Sequence, residues 1–324
     1  MMKSQNIDSA LIIAYRRHEN VLKLIDILSK KGVKRIYVAI DCNSPLDPAS
    51  QLDVKKTIEI AMEASKNMPG QLRVAVHSEN VGCSAAVLSA CEWFFENEEF
   101  GVILEDDCIP AEEFFTFANN SKEIIETNDN VWLFCGTQFA SEEKSEDSWS
   151  LSKYALIWGW GTSKRKWDQI ASSLKENSIS ILSKEISFAE KQYWNAGASR
   201  SISGAVDAWD NILVQRMLTL EKKSILPKYS LVSNIGNDFA ATHTISDSNW
   251  LRIETGSFDM PKAEPIDNPG LDLWLKAKFY RISIRHIFTT RITYFIDYIS
   301  GRRNRAENLI NRWENARKNL TPLK

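Results

Sequence analysis

The first 140 residues constrain this chain most, because short apolar runs alternate there with amphipathic helical patterns. SALIIAY (9–15), RIYVAIDC (35–42), LRVAVHSE (72–79) and GVILEDD (101–107) have the composition of buried strands, and VWLFCGTQF (131–139) reads as a fifth. Between them, NVLKLIDILSKK (20–31), VKKTIEIAMEASKN (54–67), SAAVLSACEWFFEN (84–97) and EEFFTFANNSKEIIETN (112–128) repeat apolar residues at helical spacing. Strands apolar on both faces and separated by helices predict a mostly parallel sheet with helices on both sides, a Rossmann-like α/β layer.

In such sheets ligands bind beyond the carboxyl ends of the strands. The first strand ends in Tyr15-Arg16-Arg17, the second in Asp41, the third in Glu79-Asn80, and the fourth in Glu105-Asp106-Asp107. An apolar strand running into three consecutive acids is costly unless the turn is solvated or a cation compensates it. Mg²⁺ and Mn²⁺ suit one or two carboxylates plus substrate phosphates. Neither G-x-G-x-x-G after the first strand nor G-x-x-x-x-G-K-[ST] anywhere is present, which excludes a dinucleotide-binding Rossmann domain and a P-loop NTPase.

Residues 140–205 read as irregular, 206–224 as a helix, 231–236 as a short strand and 237–244 as a loop. DMPKAEPIDNPG (259–270) holds three of the nine prolines and reads as a linker between a body (1–258) and a basic, helical C-terminal extension (271–324). That extension has twelve Lys/Arg against four Asp/Glu, a net +8, leaving −10 on residues 1–270 of the overall −2. The five cysteines form no C-x-x-C pair, and MMKSQNIDSA shows no apolar leader segment. A reduced, cytoplasmic protein is expected, with no run near the ~20 apolar residues that span a bilayer.

VILEDDCIPAEEFF, preceded by NVGCSAAV (80–87), resembles the core of GT-A fold nucleotide-diphosphosugar glycosyltransferases. The acidic triplet is similar to that family's metal-binding D-x-D element, in the E-D-D form of enzymes like N-acetylglucosaminyltransferase I. WGWGT (158–162), VDAWDN (206–211) and LVSNIGNDFAATHT (231–244) follow in the family's order. The resemblance covers residues 9–245 and implies a GT-A fold, a Mn²⁺ or Mg²⁺ ion and a nucleotide-sugar donor, with UDP expected. It implies that Asp107 coordinates the metal, with His243 as a second ligand or a diphosphate contact. Glu105 and Asp106 would meet the donor sugar or ribose, and Asp41 the base or ribose. Arg16 or Arg17 would meet the base or phosphates, beside Tyr15. Trp158, Gly159 and Trp160 would form the acceptor side. NVGCSAAV departs from the family pattern in having small residues where a longer polar or basic side chain is expected.

Asp207 and Asp210 both fall near a helix start, where acids meet the positive dipole end. Three residues apart, they share roughly one face. An inverting transfer needs one carboxylate to take the acceptor hydroxyl's proton, and the Trp209-Asp210 pair fits the family pattern better, so Asp210 is the expected base.

The basic extension interleaves Trp274, Phe279, Tyr280, Ile284, Phe288, Tyr294 and Phe295 with lysines and arginines. It suits either the surface of an anionic membrane, on its cytoplasmic face, or plain packing on the body. The expected acceptor is a glycan or lipid-linked hydroxyl, and no nucleic-acid motif appears. The rival readings are a sugar-phosphate nucleotidyltransferase and a non-catalytic nucleotide- or glycan-binding protein. The former usually carries a Gly-rich, basic loop after the first strand, and AYRRHEN has no glycine.

Overall fold

A computed structural model describes residues 7–42, 44, 50–68, 70–140, 148–176, 183–236, 255–259, 261, 263–283, 292 and 308–323. The four apolar runs form β1 (Ser9–Ala14), β2 (Arg35–Ile40), β3 (Leu72–His77) and β4 (Phe100–Glu105). They pair parallel in the order β3-β2-β1-β4. Alternate residues of one strand feed opposite cores: Leu11 and Ile13 enter one, Ala10, Ile12 and Ala14 the other. Helices cover both faces. On one side lie α1 (His18–Lys30), α2 (Gln51–Asn67) and α4 (Glu112–Thr127). On the other lies α3 (Cys83–Phe95). The buried stripe of α1, Val21, Leu24, Ile25 and Leu28, has the i, i+3, i+4, i+7 spacing of an amphipathic helix.

Beyond β4 the sheet is mixed. After the short β5 (Cys108–Pro110) comes β6 (Val131–Cys135), which does not sit next to β4. β8 (Trp160–Ser163) is inserted between them, antiparallel to both. β7 (Trp149–Ser152) and β9 (Lys223–Pro227) extend the sheet past β6. β10 (Val232–Asn234) pairs with β5 in a separate two-stranded sheet. The segment 140–205, expected to be irregular, therefore supplies two strands together with α5 (Lys164–Leu174) and α6 (Phe188–Ile202). The strands are four residues each, too short to show a period of two. Ser163 caps α5, accepting from Lys166 N at 3.3 Å. The helix expected over 206–224 is α7 (Asp210–Thr219), ended by a turn with Glu221 in the left-handed region before β9 begins.

The stretch read as a linker lies along β7, with Ala263 O accepting from Trp149 Nε1 and Asp267 bridging to Leu151. α8 (Pro269–Trp274), capped by Asn268, runs into a π-helical turn at Leu275–Phe279. α9 (Leu309–Asn319) packs against α3, and β11 (Leu320–Leu323) joins the sheet edge antiparallel to β3. The extension is thus not wholly helical: its last residues pair with the sheet, where Pro322 is tolerated because an edge strand bonds on one side only. Among the described residues no helix is long and apolar enough to cross a membrane. The aromatic-basic stretch 286–300 lies outside the described residues except for Ile292.

Candidate functional site

The carboxyl ends of β1, β2 and β4 open on a cleft of about 530 Å³. Tyr15, Arg16, Arg17, Asp41, Glu105, Asp106, Asp107, Trp158, Asp207 and Asp210 all line it. Ten residues singled out in the sequence are thereby brought together. His243 lies outside the described residues.

The three acids differ in what they touch. Asp106, 5% exposed, is used by the protein itself: Oδ2 accepts from Tyr15 N at 2.9 Å and Oδ1 from Arg17 Nη1 at 2.8 Å. It ties the end of β1 to the turn after β4. The same guanidinium nitrogen donates to Asp107 Oδ2 at 3.2 Å, and Arg17 Nη2 donates to Gly236 O at 3.3 Å. Asp107 O accepts from Ile235 N, so the residues after β10 close over the acidic turn. A Cβ on Gly236 would collide with Asp107 Oδ2, so any larger residue there would have to displace that carboxylate. The Glu105 carboxylate has no hydrogen-bond partner among the described residues. Burial, and then Asp107, Asp106 and Asp210, push its carboxyl up to about 8 against the pull of Arg17. Burial and Asp106 likewise raise Asp107, again opposed by Arg17.

These donors bear directly on a metal. A hard divalent cation takes oxygen ligands, commonly one or two carboxylates with phosphate and water completing the shell. Glu105 and Asp107 offer such oxygens where negative charge is crowded. Among the described residues, no group of three or more His, Cys, Asp or Glu is arranged to hold a metal by itself. The donor set fits a cation shared with an anionic ligand rather than an all-protein cage.

Asp41 is committed elsewhere. Its oxygens accept from Cys42 N, Val81 N and Gly82 N at 2.9–3.2 Å and from Asn80 Nδ2 at 3.0 Å. Four donors fill a carboxylate's acceptor sites, leaving none for a base or ribose. Asp41 instead shapes the loop entering α3. Burial pushes its carboxyl up to about 7, opposed by the three backbone N–H groups.

Across the cleft, Asp207 Oδ1 accepts from Ser84 N at 3.1 Å and Oδ2 from Arg312 Nη2 at 3.3 Å. Asp207 therefore caps α3 from a distant part of the chain. Asp210 is the first residue of α7, where the helix dipole favours its charge, and its field is one of those raising Glu105.

The tryptophans separate. Trp158 lines the cleft, edge-on to Phe139 at 5.3 Å. Gly159 takes a positive φ of 67°, and a Cβ there would sit 2.6 Å from Val232. Trp160 does not reach the cleft, contrary to expectation. It is 2% exposed, with Trp209 at 5.7 Å and Trp167 at 6.3 Å. Residues two apart on a continuous strand would share a face, but Trp158 precedes β8 and the positive φ of Gly159 breaks the alternation, so Trp160 enters the core beside Trp209. Sequence reasoning missed Arg312, Asn234 and Gly236; the last two follow from the small β10 strand closing on β5.

No family model matches the chain, and neither does any curated protein sequence.

Proposed function

We propose that this chain is a metal-dependent glycosyltransferase of the GT-A type, moving a sugar from a nucleoside-diphosphate donor to a hydroxyl of a glycan or lipid-linked acceptor. One observation carries the reading: Glu105, Asp107 and Arg17 meet Asp210 across one cleft at the carboxyl ends of the central strands. That arrangement offers a site for an anionic donor on one side and a carboxylate on the other.

In this reading Asp107, with Glu105 beside it, holds Mn²⁺ or Mg²⁺, which would supply charge neutralisation for the departing diphosphate. Arg17 keeps Asp106 and Asp107 oriented and, with Arg16, brings positive charge to the phosphate side. Glu105 faces the donor's sugar or ribose. Asp106, 5% exposed, chiefly holds the turn in register, one oxygen accepting from Tyr15 N and the other from Arg17. Asp210 takes the proton from the acceptor hydroxyl as that oxygen attacks the anomeric carbon from the face opposite the leaving group, inverting the centre. Trp158 lends an aromatic face to the acceptor side.

The test is turnover of UDP-sugars with Mn²⁺, by wild type and Asp210→Asn. Sugar release or transfer that drops at least ~100-fold in the variant, with donor binding retained, is expected. Nucleotide binding without turnover of any donor would return the chain to a binding role.

A further inference from the structure

We propose that Arg312 is a positioning residue that clamps the loop 80–84 to the turn 207–210, so that the geometry of the cleft depends on the docked C-terminal segment. Arg312 Nη2 donates to Val81 O at 2.7 Å and to Asp207 Oδ2 at 3.3 Å. Asp207 Oδ1 reaches back to Ser84 N, closing a ring of contacts. Val81 is held from both sides, its N–H by Asp41 and its carbonyl by Arg312. Gly82, with φ of 80°, is the N-cap of α3, and a Cβ there would lie 2.7 Å from Asp207 Oδ2 and collide with the Arg312 guanidinium. The crossing of the three segments therefore requires glycine at this point.

Arg312 is not a solvated surface cation. Its helix is seated by the buried Trp313, which lies 6.4 Å from Trp167 and under the Lys175 ammonium at 4.4 Å. Its far end is fixed by Asn319 Nδ2 donating to Glu79 Oε1 at 2.8 Å and by β11 pairing with β3. The C-terminal end of α9 is thus tied to the sheet, and Trp313 seats the turn that carries Arg312. The guanidinium does not line the cleft itself; it acts through Asp207, three residues before Asp210. It also supplies a positive charge beside Asp207, near the crowded acids.

The clamp rests on the transferase reading only for what the geometry serves, and its test needs no substrate. Hydrogen exchange of the full chain is compared for wild type, Arg312→Ala and Arg312→Lys. The amides of Gly82 and Ser84 should exchange at least ~10-fold faster in Arg312→Ala, as loss of a charge-assisted hydrogen bond implies, while those of β1 and β4 hold. Both contacts come from the one terminal nitrogen Nη2, and lysine keeps the charge but not the planar guanidinium that sets that nitrogen between the two acceptors, so it should rescue only part of the protection. Asp207→Asn should raise the same amides, and the double variant should add little. Unchanged exchange at Gly82 and Ser84, or an equal rise across the sheet, overturns the clamp. If the alanine variant does not fold, the lysine variant decides by the same amides. If a donor is turned over, Arg312→Ala should lower kcat ~10-fold with KM for the donor moving less than ~3-fold. Selective exchange changes in a chain that turns over no donor would uphold the clamp and sink the transferase reading alone.

Discussion

Removing Arg17 tests whether the acidic turn is held together by one guanidinium. Arg17 Nη1 lies 2.8 Å from Asp106 Oδ1 and 3.2 Å from Asp107 Oδ2, and the side chains are 14%, 6% and 19% exposed. That is far from the solvated regime in which ion pairs contribute ~0–1 kcal/mol. Breaking a largely buried pair from one side costs ~3–5 kcal/mol, because the remaining charge stays buried without its partner. Asp106 keeps the Tyr15 N–H as a donor, so the lower end applies, and Arg17→Ala should cost about 3 kcal/mol. Asp106→Asn removes the charge but keeps the shape and should cost about 2 kcal/mol. The double variant should fall short of the sum by ~1.5 kcal/mol or more, because each single change already destroys the same interaction. Urea unfolding of the four proteins at fixed pH and low salt measures this. Additive losses, or an Arg17→Ala cost below ~1 kcal/mol, would refute the idea that Arg17 organises the turn.

Trp160→Ala should destabilise the fold by about 4 kcal/mol, whereas Trp158→Ala should cost no more than about half of that and weaken acceptor-side function instead; thermal unfolding beside a transfer assay separates the two. Burial pushes the Asp272 carboxyl from 3.8 up to about 6, against Ser152 and Lys153. Because the folded value lies above the unfolded one, this group's contribution to stability is full below about pH 3.8 and is lost as pH rises through 6. The loss approaches 3 kcal/mol. Asp272→Asn should therefore flatten the stability profile between pH 4 and 7, and parallel profiles would contradict it.

Much of the architecture is legible in residues 9–107, because strands buried on both faces must be apolar nearly throughout, as Ala10-Leu11-Ile12-Ile13 and Ile36-Tyr37-Val38-Ala39 are. The rim residues were legible for the same reason: once the strands are parallel, their ends converge. β8 was not, since Trp-Gly-Thr-Ser carries no periodicity, and its place between β4 and β6 depends on pairing with residues tens of positions away. Trp158 and Trp160 look alike in sequence, yet one faces the cleft and the other the core. Asp41 has the right position for a ligand contact and the wrong surroundings for one, because Val81 and Gly82 fold back over it. Arg312 was hidden most completely. It lies 105 residues from Asp207, in a basic segment whose composition speaks of solvated charge.

The most direct measurement is calorimetric titration of UDP into wild type and Asp107→Ala, with and without Mn²⁺. A cation-dependent heat of binding in wild type, absent in the variant, is the expected result: the acids at the end of β4 would then hold the ion that holds the diphosphate. Binding that ignores both Mn²⁺ and Asp107, or no binding of any nucleoside diphosphate, would reduce Glu105-Asp106-Asp107 to a turn fastened by Arg17 and remove the basis for the proposed transfer.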